Sequence, residues 1–76
     1  MDAGKLVKMA NEIAAFFASE PDPVAAVDGV AGHLQRFWEP RMRRQIFATL
    51  DAGAPDMTPM VVEALNKHRA RLEPAG

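Results

Sequence analysis

The chain has 76 residues, no cysteine, a net charge of −1, and 49% apolar against 25% charged residues. That size holds one domain near the lower limit at which a hydrophobic core suffices, with no disulfide or thiolate metal site to reinforce it. The balance is too apolar for a disordered chain and too neutral for a general polyanion binder, and no apolar run approaches the roughly 20 residues that span a bilayer. Met1-Asp2-Ala3-Gly4-Lys5 is not followed by an apolar stretch, which argues against a secretory signal. The lack of cysteine fits a reducing cytosol. A small, Ala- and Met-rich chain of this kind often needs a partner to complete its core.

Helical periodicity begins at Lys5 and runs to Ser19. Leu6, Met9, Ile13, Phe16 and Phe17 recur at three- and four-residue steps as one apolar stripe, with Ala10 and Ala14 beside it to admit a neighbouring helix. Pro21 and Pro23 stop this helix, and Asp22 before Pro23 is an N-cap signature for a second one over 23–38. Val27, Val30, Ala31, Leu34, Phe37 and Trp38 form its apolar face. Gly29 and Gly32 inside it each cost on the order of 1 kcal/mol relative to alanine, which suggests a close helix crossing there.

Pro40 cannot continue the second helix but suits the first turn of a third, expected over 40–52. Met42, Ile46, Phe47 and Leu50 make its apolar stripe, Arg41, Arg44 and Gln45 face outward, and Gly53 takes the left-handed position after it. Thr58-Pro59 repeats the cap-then-proline signature and opens a fourth helix over 58–72, with Val61, Val62, Leu65, His68 and Leu72 at helical spacing. Lys67, Arg69 and Arg71 suit its negative C-terminal end. Residues 73–76 read as a frayed tail. The expectation is an all-α, single four-helix domain over 1–76.

Catalytic patterns are missing. The two histidines, His33 and His68, lie on different predicted helices without matching carboxylates, so His33 reads as a core-edge residue and His68 as a solvated last-turn cation. Ser19 is the only serine and has no histidine near it in sequence, and no glycine-rich phosphate loop is present. No catalytic, cofactor-binding or metal-binding residue is assigned, and an autonomous enzyme is not expected.

The densest stretch is Phe37-Trp38-Glu39-Pro40-Arg41-Met42-Arg43-Arg44, a corner between two helices holding the only tryptophan. Phe37 reads as core. Trp38, beside three arginines, reads either as core or as a partner-facing anchor, because Trp and Arg dominate interface hot spots. Arg36, Arg41, Arg43 and Arg44 against Glu39 give a local +3, and Lys67, Arg69 and Arg71 give another. These clusters suit carboxylates on a protein partner better than a phosphate backbone.

Two segments carry a resemblance. Leu6-Val7-Lys8-Met9-Ala10-Asn11-Glu12-Ile13 with Phe16-Phe17, and His33-Leu34 followed by Phe37-Trp38-Glu39-Pro40-Arg41-Met42-Arg43, resemble the delta subunit of NAD-dependent formate dehydrogenases over roughly residues 5–66. Glu39 departs from the family pattern, where aspartate, a better N-cap before proline, is expected. The resemblance implies a non-catalytic accessory subunit of a cytosolic complex that oxidises formate to carbon dioxide. It would dock on the large catalytic subunit and support assembly, cofactor insertion or stability. The complex would carry a molybdenum or tungsten pterin, iron–sulfur clusters and FMN, and reduce NAD. None of these groups would be held by this chain. Trp38, Pro40, Arg41, Met42, Arg43 and Arg44 are the expected partner-interface residues, with a rigid Pro40 presenting them at little ordering cost. On that expectation Trp38→Ala costs about 2 kcal/mol or more of binding while helicity is kept; loss of helicity would mark Trp38 as core. The alternatives are a helical regulator binding nucleic acid or a transcription factor, and a self-contained homodimer. No membrane partner is expected.

Overall fold

The computed structural model describes residues 2–75, and all regular structure among them is helical. In chain order the elements are α1 (Ala3–Phe17), α2 (Pro23–Phe37), α3 (Pro40–Asp51), α4 (Pro59–Lys67) and a single further turn, α5 (Arg69–Leu72). Met1 and Gly76, at the two ends of the expected domain and tail, lie outside the described residues.

Local chemistry sets most boundaries. The Asp2 carboxylate accepts the Gly4 N–H at 3.0 Å, so α1 starts at Ala3 rather than at residue 5. It stops at Phe17, two residues short of the expected end. Asp22 accepts the Val24 N–H at 3.0 Å and Pro23 follows at the first position of α2. Pro40 and Pro59 open α3 and α4 in the same way, but neither Glu39 nor Thr58 caps with its side chain. At Thr58 the N–H donates instead to Asn11 Oδ1 of α1 (3.0 Å), while Asn11 Nδ2 donates to the Asp56 carbonyl (2.8 Å). One α1 side chain thereby ties down the loop between α3 and α4. Gly53 has φ +84°, the left-handed conformation that ends α3.

The expected fourth helix is interrupted at His68 (φ −110°, ψ 22°), leaving α5 as a separate turn. No glycine or proline marks that break. It coincides with two side chains pulling toward different neighbours: His68 reaches Asp28 on α2, and Arg69 reaches Asp51 at the end of α3.

The core joins all five elements through Leu6, Val30, Leu34, Ile46, Phe47, Val61, Leu65 and Leu72, with Met57 plugging it from the loop before α4. On α1 the buried positions are Leu6, Val7, Ala10 and Ala14. This overturns the expected stripe in part. The helix turns its alanines inward, where short side chains let neighbouring helices approach, leaves Met9, Ile13 and Phe17 half-buried against the core, and exposes Phe16.

Candidate functional site

Rotation of α1 leaves an apolar groove of about 480 Å³ between α1 and α2, lined by Met9, Ile13, Phe16, Phe17, His33 and Trp38, with Glu12 at its edge. Phe16 is 75% exposed and Phe37 68% exposed, the largest apolar side chains left open to water. The two phenylalanines of α1 meet edge to face, with ring centroids 5.1 Å apart and planes at 88°. On α2 the His33 and Phe37 rings lie 4.8 Å apart. Such aromatic pairs hold their rings in fixed orientations. The patch is therefore a shaped apolar surface.

The groove depends on one glycine. A Cβ at Gly29 would stand 2.5 Å from the Phe17 ring, so α2 has to be bare there for Phe17 to lie against it. Gly32 has no such neighbour; its nearest atom would be the Arg36 guanidinium at 3.7 Å. The close crossing read from both glycines is made at Gly29 alone.

Phe37 departs from the place expected for it, and of the two readings open for Trp38 the buried one holds. Phe37, read as core, is exposed; Trp38 is only 5% exposed and belongs to the core cluster. The cause is the end of α2. Trp38 leaves the helix with extended backbone (φ −92°, ψ 130°), which swings its indole inward under the groove, while Phe37 keeps its helical direction outward. Arg43 is also used internally: Nε donates to the Trp38 carbonyl (3.2 Å) and Nη1 to the Leu72 carbonyl (3.0 Å), clasping the end of α2 to the end of α5. Pro40, Arg41 and Arg44 are exposed and Met42 is half-buried against the core. Arg41 and Met42 border a smaller hollow with Leu6, Glu39 and Gln45. Of the six expected interface residues, Pro40, Arg41, Met42 and Arg44 thus reach the surface, and Trp38 and Arg43 hold it from beneath.

Much of the basic charge is spent within the chain. Arg69 grips Asp51 through two nitrogens (3.0 and 2.6 Å), bonds Glu73 (2.9 and 3.1 Å), and stacks its guanidinium 4.9 Å from the Phe47 ring centre. These contacts hold the Asp51 and Glu73 carboxyls below their ordinary range and raise Arg69 above its own. His68 Nε2 donates to Asp28 at 2.7 Å, with Lys67 at 3.5 Å from the same oxygen. The His68 hydrogen bond, followed by the Lys67 charge, lowers the Asp28 carboxyl. So His68, expected as a solvated cation, is a half-buried partner of α2. Arg36, Arg41 and Arg44 form no ion pair among the described residues.

Among the described residues no three His, Asp or Glu side chains converge to hold a metal ion, and no helix is long and apolar enough to cross a membrane. The arrangement offers an apolar groove with Glu12 and His33 as the polar side chains of its lining. Sequence reasoning placed Phe16 in the apolar stripe of α1 and the expected interface at the corner between α2 and α3, whereas the groove lies between α1 and α2. In comparison with known proteins the chain matches the family described as NADH-dependent formate dehydrogenase delta subunit FdsD, over residues 5–65. No curated protein and no solved structure matches the chain significantly.

Proposed function

The chain belongs to the NADH-dependent formate dehydrogenase delta-subunit family, and on that premise we propose that it is a non-catalytic accessory subunit that docks on the large catalytic subunit. The observation that carries this reading is the exposed Phe16 on a preformed apolar groove, together with the exposed Phe37 that meets His33 of its lining. Covering a phenylalanine contributes roughly 1.5–3 kcal/mol, so two of them supply a substantial apolar anchor. Pro40, Arg41, Met42 and Arg44 extend the same docking surface, with the arginines pairing with carboxylates of the large subunit. Trp38 and Arg43 keep the corner in place from inside.

Docking of this kind supports assembly, cofactor insertion or stability of the complex. We assign the molybdenum or tungsten pterin, the iron–sulfur clusters, FMN and the NAD site to the other subunits. The donor set here suits none of the clusters, since the sequence has no cysteine. The whole complex is placed in the cytoplasm. Deleting the chain from its own cells tests the role. Formate-dependent NAD reduction should fall, and the large subunit should elute as a smaller or metal-poor species. Full activity in a complex of unchanged size and metal content would refute it.

A further inference from the structure

We propose that the break between α4 and α5 is a two-state joint: ties from α2 and α3 hold it bent, and on their release residues 59–72 run as one helix, a change that Arg43 carries to the corner between α2 and α3. The joint belongs to the chain itself and needs no partner.

Nothing in the local sequence breaks the helix. From Met60 to Glu73 there is no glycine or proline, and Ala64, Leu65 and Lys67 before His68 favour helix, as do the residues from Arg69 to Leu72 after it. Yet the hydrogen bonding of α4 ends with the His68 N–H on the Ala64 carbonyl (3.1 Å). It restarts from the His68 carbonyl, which accepts from Arg71 and Leu72 at 3.0 Å each. A single four-residue turn does not persist alone. Besides the buried Leu72 side chain, three ties hold α5 where it is. His68 bonds Asp28 of α2 at 2.7 Å, Arg69 grips Asp51 of α3 at 3.0 and 2.6 Å, and Arg43 donates to the Leu72 carbonyl at 3.0 Å.

The bend answers a conflict of phase. His68 lies three residues after Leu65 and four before Leu72, both fully buried, so a straight helix aims its imidazole at the core. The turn at His68 (φ −110°, ψ 22°) brings the ring to Asp28 instead and leaves it 17% exposed. Leu72 follows Leu65 by seven residues, about two turns, so the straight helix also keeps it on the core side. The two arrangements bury the same leucines and differ in what His68 and Arg69 meet. Arg43 links the joint to the rest of the fold. Its Nη1 holds the Leu72 carbonyl while its Nε holds the Trp38 carbonyl at 3.2 Å, so redirecting α5 changes the grip on the end of α2.

NMR of the full chain reads the joint. In the parent chain the Cα shift at position 68 should be non-helical and the Arg69 amide should exchange freely with water. His68→Leu, and separately Asp28→Ala combined with Asp51→Ala, should each move that Cα shift to helical values. Each should also slow exchange of the Arg69 amide about tenfold, as one net hydrogen bond does. The Arg43 Nε–H signal should shift in both variants. Alanine favours helix more than aspartate, so the double substitution leaves α2 and α3 intact. A break that persists in both variants would overturn the joint, as would a segment 69–72 that melts to coil instead of joining α4. Joining with an unmoved Arg43 signal would overturn the link to the corner.

Discussion

At the scale of single residues, the corner at Phe37-Trp38 shows how one backbone step reassigns two side chains. Both fit the apolar period of α2, so both read as its inner face. Helical phase predicts direction only while the helix lasts, and it ends at Phe37. Trp38 then turns in and Phe37 stays out. The consequence is opposite responses to truncation. Trp38→Ala should cost about 3–5 kcal/mol of fold stability, the usual cost of removing a buried large aromatic. Against the roughly 4–11 kcal/mol available to a domain this size, that brings the chain close to unfolding. Phe37→Ala should leave the melting temperature within a few degrees of the parent. Circular dichroism melts of the two variants decide this, and a stable Trp38→Ala chain would place the indole at the surface. The internal use of Arg43 was equally hidden, since its carbonyl partners at Trp38 and Leu72 are 5 and 29 residues away. Arg41 and Arg44, which merely face water, were legible from phase alone.

At the scale of elements, the four proline and glycine punctuation marks made the helices readable. Pro23, Pro40, Pro59 and Gly53 stand where the chain turns, each for a reason local to its own backbone. The face each helix buries was less readable. On α1 the largest side chains suggested one stripe, but packing favoured the alanines, because helix approach distance depends on what the neighbour presents. The break at His68 had no local signal at all; it accompanies contacts to α2 and α3 made by adjacent residues. Gly29 and Gly32 give a test at this scale. Both sit within α2, so helix propensity favours alanine at each by about 1 kcal/mol. Gly32→Ala should gain most of that. Gly29→Ala should instead lose on the order of 1–3 kcal/mol, because its Cβ would meet the Phe17 ring at 2.5 Å and overpack the crossing. Chemical denaturation of the pair measures both signs, and a stabilised Gly29→Ala chain would contradict the crossing.

For the molecule as a whole, three carboxylates are drawn into ion pairs: Asp28 holds His68 and Lys67 and Asp51 holds Arg69, both between elements, while Glu73 shares Arg69 within one turn. Each is held below its ordinary range, chiefly by a hydrogen bond, from His68 for Asp28 and from Arg69 for the other two. A carboxyl depressed in the folded state contributes fully above its unfolded value of about 4 and loses that contribution as pH falls through and below it. Melting temperature should therefore be level from neutral pH to about 5 and fall below that. Arg69→Met should flatten the acid limb, and added salt should weaken the effect at these exposed pairs. Acid limbs that superimpose would remove the Arg69 cluster from the account. The same pairing leaves Arg36, Arg41 and Arg44 without an ion pair among the described residues, and the chain leaves Phe16 of its apolar groove uncovered. The measurement that tests the central claim most directly is capture of the tagged chain from its native cells grown with formate. Bound proteins would be identified by mass spectrometry and the eluate assayed for formate-dependent NAD reduction. The account predicts the large formate dehydrogenase subunit together with that activity, both lost with Phe16→Ala. An eluate holding the chain alone, or the chain with nucleic acid and no formate-dependent activity, would contradict it.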